Sequence, residues 1–159
     1  MKKILTFFST LVLVLILTAC NNPNDSLVIS KLYSPKEQFN NIIELYNNSD
    51  KDLGLDSFSL RFYTNGATEV SNEISLSGVI EANSYYVISG NGFRQTDYAD
   101  LVDLKYDKGS LPFNGNDAIE LVNGKRVIDS LGYLGLDVDY SSNTTLIRLG
   151  EKEDYKPAK

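Results

Sequence analysis

From Leu27 onward the chain alternates apolar and polar residues in short runs. Ile43 and Leu45 alternate with Glu44 and Tyr46, and Phe58, Leu60 and Phe62 alternate with Ser59, Arg61 and Tyr63. A period of two is the mark of a half-buried strand. It predicts that Phe58, Leu60 and Phe62 face a core while Ser59, Arg61 and Tyr63 face solvent. Further strands are predicted over Leu27–Tyr33, Val70–Leu76, Tyr85–Ser89, Leu101–Tyr106 and Thr144–Leu149. Asn65-Gly66 follows one strand, and Asn123-Gly124 separates AIELV from KRVID. Both dipeptides predict two-residue hairpins, since Asn and Gly accept the positive φ of a type I′ turn. No apolar run of helical period follows the first 20 residues. About eight short strands with frequent turns predict an all-β domain, either sandwich or barrel.

The start of the chain follows a different pattern. Lys2 and Lys3 precede an uncharged apolar stretch, Ile4 to Leu17, which ends in Leu17-Thr18-Ala19-Cys20. A basic tip, an apolar segment and small residues before a cut are the parts of a secretory signal peptide. The stretch is shorter than the roughly 20 residues of a membrane-spanning helix. Cysteine directly after the small residues resembles the lipobox of bacterial lipoproteins. That resemblance implies removal of residues 1–19, attachment of diacylglycerol and palmitate-type acyl chains to Cys20, and a protein held on the extracytoplasmic face of a cell membrane. Two acyl chains give a stable anchor where one gives only a marginal one. Cys20 is the only cysteine, and lipidation removes a thiol that would otherwise be exposed and reactive. Residues 20–26 then read as lipidated cysteine and polar tether, 27–150 as the domain, and the charged segment 151–159 as a disordered tail.

Charge narrows the partners. Loss of the leader takes Lys2 and Lys3 and no acid, so 13 basic residues face 21 acidic ones, a net charge of −8. Binding to nucleic acid by phosphate neutralisation needs a basic patch, and Lys125-Arg126 is the longest basic run in the domain. No nucleic-acid partner is expected. Histidine is absent, which removes the commonest metal ligand and the usual general base near neutral pH.

Three acids lie in or beside strand segments, Glu44, Glu120 and Asp129. Paired carboxylates are suited to acid–base work, but the alternation places Glu44 and Glu120 on the solvent side of their strands, and Asp129 is placed to cap a turn. No catalytic residue is assigned and no cofactor is expected. Asn114, Asn116, Asp117, Asp137 and Asp139 form an oxygen-rich set of the kind that binds calcium. Their spacing does not make an EF-hand loop, and Asn, Asp and Gly are also ordinary turn residues. The chain has 10 tyrosines and no tryptophan. Tyr46, Tyr63 and Arg61 fall on the polar phase of their strands and form a candidate partner surface, since tyrosine presents a ring and a hydroxyl together.

Four segments in order carry a resemblance: LVISKLY, IIELYNNSDKDLGLDSFSLRFY, LSGVIEANSYYVISG and FNGNDAIELVNGKRVIDSLG. Together they resemble the lamin tail domain of the bacterial secreted type over Leu27 to Gly135, with TTLIRL similar to a last strand. Phe58 stands where the family often has Trp, and Lys31 where it often has Glu. The resemblance implies an immunoglobulin-like β-sandwich. It supplies no catalytic residue. The reading that follows is a membrane-anchored binding or scaffolding module with a protein or glycan partner. The alternative is an accessory domain for an exported nuclease or phosphoesterase.

Overall fold

The computed structural model describes residues 26–149 (side chains at 96–98 excepted) and the backbone over 154–157. The leader, Cys20 and the first residues of the tether lie outside that range. Twelve strands occur among the described residues: β1 (Leu27–Ser34), β2 (Ile42–Asn47), β3 (Leu53–Gly54), β4 (Phe58–Tyr63), β5 (Asn72–Ser75), β6 (Val79–Ile80), β7 (Tyr85–Gly90), β8 (Leu104–Tyr106), β9 (Ala118–Asn123), β10 (Arg126–Leu131), β11 (Thr144–Leu149) and β12 (Asp154–Pro157). They form a six-stranded sheet in the order β12-β11-β1-β2-β7-β8, a four-stranded sheet β10-β9-β4-β5, and the small pair β3-β6. All pairings are antiparallel except β7 with β8.

The two larger sheets close over one core, and the choice left open by strand spacing resolves to a sandwich. Leu27, Ile29, Leu32, Ile43, Leu45 and Ile88 of the first sheet share it with Phe58, Leu60, Phe62, Ile119 and Leu121 of the second. Phe62 also stacks on Phe113, with ring centroids 6.4 Å apart. The inward phase predicted for β4 is the one observed. Its outward phase is not: Tyr63 is 6% exposed and Ser59 8%. Both lie on a strand flanked by β5 and β9, and their polar atoms are taken up by those neighbours.

Other expectations need correction. Asn65 and Gly66 do adopt positive φ, 53° and 72°, but in a 3-10 turn that opens a longer β4–β5 loop. The β9–β10 turn falls one residue later than expected. Arg126 pairs with Asn123, leaving Gly124-Lys125 as the loop, and only Gly124 has positive φ, as a type II′ turn requires. A 3-10 turn, Thr96–Leu101, replaces the start of the strand expected from Leu101. β3 and β6, with two residues each, are too short to show alternation. The tail expected to be disordered is described only over 154–157, where it pairs with β11 as β12.

Candidate functional site

The outer face of the six-stranded sheet carries the site, and a bulge in β1 builds it. Pairing with β2 runs Ile29↔Leu45 and then Lys31↔Glu44, so Ser30 is the extra residue. A bulge re-aims side chains that strict alternation would send to opposite faces. Here Ser30 and Lys31 both reach Glu44. The Ser30 hydroxyl donates to Glu44 Oε1 at 2.8 Å, and Lys31 Nζ donates to Oε2 at 2.8 Å. The carboxylate is thus fixed from two sides.

Tyr46 lies two residues along the same face of β2 and is directly opposite Tyr85 of β7. Their rings sit 4.8 Å apart at 37°, and Tyr85 remains 60% exposed. These side chains, with Val28, Asn48, Ile147 and Arg148, line an open groove of about 620 Å³. A second depression of about 350 Å³ continues it along the sheet past Tyr33, Ile42, Val87 and Leu101. Lys31 and Glu44 line both.

The bulge also ties the two sheets together. β11 pairs with β1 only from Lys31 onward. Ahead of that, the Ile29 N–H donates instead to Asp129 Oδ2 of β10, at 2.7 Å. Arg148 donates to the same carboxylate at 2.5 Å and to the Ile29 carbonyl at 2.9 Å. Asp129, expected to cap a turn, therefore bridges the sheets. This bridge balances the one other cation of the groove, as Glu44 balances Lys31.

The proposed Arg61–Tyr63 surface does not form. Tyr63 is buried, and its hydroxyl donates to Glu120 Oε2 at 2.7 Å. Burial first, then the bond to Glu120, push its pKa up to about 12. Arg61 Nε lies 3.4 Å from Glu73 Oε2, and Ser59 donates to the other oxygen of Glu73. The outward face of β4 is thus knitted by cross-strand pairs. Of the three candidate residues Tyr46 lines the groove described above, and Arg61 and Tyr63 are not part of its lining. The sequence missed its companion, although Tyr85 lies on a predicted strand. Register across β2 and β7, which one chain's periodicity does not contain, is what brings the two rings together.

The oxygen-rich loops do converge, but their acids are occupied. Asp117 is 2% exposed and accepts from the Asn65 N–H and the Asn114 N–H, each at 2.8 Å. Asn116 donates to Asp137. Asp139 accepts from the Ser142 N–H at 2.9 Å, and that bond holds its carboxyl below the usual range. These groups pin loops together. Among the described residues no three of His, Cys, Asp and Glu gather as a metal site.

No curated protein matches the chain. The family description of the Lamin Tail Domain matches residues 21–135. With the match spanning most of the sequence and the immunoglobulin-like sandwich beneath it, the chain belongs to the lamin tail domain family.

Proposed function

We propose that this chain is a lipoprotein anchored through Cys20 on the extracytoplasmic face of a cell membrane, where its lamin tail domain serves as a non-catalytic binding module. The leader and its lipobox support the anchor. The observation that carries the binding role is the groove itself, with a fixed polar cluster at Ser30, Lys31 and Glu44 beside the exposed Tyr85 ring and its half-buried partner Tyr46. Recognition sites combine an apolar platform with a few oriented polar groups. Catalysis would need a base or nucleophile free to act, whereas Glu44 is ion-paired with Lys31, Asp129 is tied to Arg148 and the Ile29 N–H, and Glu120 accepts from Tyr63 on another face.

A photo-crosslinking amino acid at position 85, with a second variant carrying it at Lys125 on the β9–β10 turn, tests the reading on intact cells. A discrete adduct from position 85 and none from position 125 is expected. Equal labelling from both positions, or none from either, overturns it.

A further inference from the structure

We infer that the groove is a glycan site, in which a neutral pyranose ring rests on the Tyr46–Tyr85 pair and its hydroxyls bond to the Lys31–Glu44 cluster. This deepens the binding-module reading and rests on it. Charge points to a neutral ligand. Within the groove Lys31 is matched by Glu44 at 2.8 Å and Arg148 by Asp129 at 2.5 Å. A ligand with a fixed charge would have to compete with one of these pairs, and a polyanion would also meet the acidic balance of the whole chain.

Hydrogen-bonding capacity points the same way. A carboxylate offers about four lone-pair sites and an ammonium three donors. Ser30 and Lys31 together use one site on each Glu44 oxygen and one Lys31 donor. Acceptors and donors therefore remain side by side, and a sugar hydroxyl gives and takes a hydrogen bond at once. The aromatic pair supplies the other half of sugar chemistry, a surface for the C–H face of the ring. Tyr85 is well placed for it, with an exposed ring held against Tyr46 by cross-strand register. Shape favours a chain over a single sugar. From Ile42 to Tyr46 the floor runs about 14 Å at the rise of a strand, and the second depression extends it beyond the cluster.

The test uses the full-length protein in a sugar-free detergent and calorimetric titration with neutral hexasaccharides of glucose, mannose, xylose and N-acetylglucosamine. Hexagalacturonate is the anionic comparison. At least one neutral hexasaccharide should bind with a Kd of about 1 mM or tighter. Tyr85→Ala and Glu44→Gln should each weaken it by at least about tenfold. Tyr85→Phe, which keeps the ring, should retain it. So should Tyr133→Ala, which removes an equally exposed ring outside the groove. The proposal is overturned if no neutral hexasaccharide binds at about 10 mM, if Tyr85→Ala binds like the wild type, or if hexagalacturonate is the tighter ligand. A discrete protein adduct from position 85 together with no sugar binding would sink the glycan assignment and leave the binding-module reading standing. Failure of both experiments would remove both.

Discussion

Tyr63 couples its burial to the alkaline limit of the fold. Its pKa, raised to about 12 by desolvation and by Glu120, exceeds the ordinary value near 10. The folded state therefore holds the phenol proton more tightly than the unfolded one. The stability this contributes is complete below about pH 10 and is lost as pH rises towards about 12. Tyr63→Phe has no such proton, so urea unfolding at pH 9 and pH 11 should show a smaller fall for it than for the wild type. Equal falls would mean that Tyr63 does not titrate in this way. Packing gives a second expectation: Phe62 is 0% and Tyr63 6% exposed, so alanine at either should cost about 3–5 kcal/mol. Asp129 gives a third. Asp129→Ala leaves Arg148, whose side chain is 6% exposed, and the Ile29 N–H without their shared acceptor. Breaking such a pair costs about 3–5 kcal/mol, a large share of a domain's usual 5–15. A loss under about 1 kcal/mol in chemical denaturation would show that the bridge does not hold the sheets together.

At the level of elements, alternation located the long strands because each buries one face against a partner sheet. Phe58–Tyr63 was readable to the residue, and the Thr144–Leu149 strand likewise. What alternation assumes is that the opposite face meets water. On β4 it meets Glu73 and Glu120 from both neighbouring strands, so Tyr63 looked exposed in a sequence that contains no register. The site was hidden for a related reason. Ser30 and Lys31 share a face only because of a bulge, and a bulge breaks the period on which the reading depends. Turns were legible by residue type and misplaced by position. Gly124 shows why type alone is permissive: its φ is 59° and a Cβ there meets open space, so Gly124→Ala should cost only the left-handed strain, about 1–2 kcal/mol. Gly115 has φ 125° and a Cβ there would lie 2.5 Å from the Ser142 backbone nitrogen. Gly115→Ala should cost more than about 4 kcal/mol or prevent folding, and thermal melts of the two variants separate the cases.

For the whole molecule, the tether sets where the groove would work. β1 starts at Leu27, and its Val28 pairs with Tyr46, which pairs with Tyr85. The aromatic end of the groove is therefore the end nearest the proposed anchor. Seven residue steps from Cys20 to Leu27 reach at most about 25 Å, so a lipid on Cys20 would hold the start of β1 within that distance of the bilayer surface. An anchor made of two acyl chains is stable without help from the protein surface, and no helix among the described residues is long and apolar enough to cross a membrane. Attachment should then depend on one sulfur atom alone. In detergent phase separation the wild-type protein should enter the detergent phase, and Cys20→Ser, with the same melting temperature, should stay in the aqueous phase. Metabolic labelling with a fatty acid should mark the first and not the second. Labelled Cys20→Ser protein would overturn the anchor and, with it, the geometry that sets the Tyr46–Tyr85 platform beside the membrane.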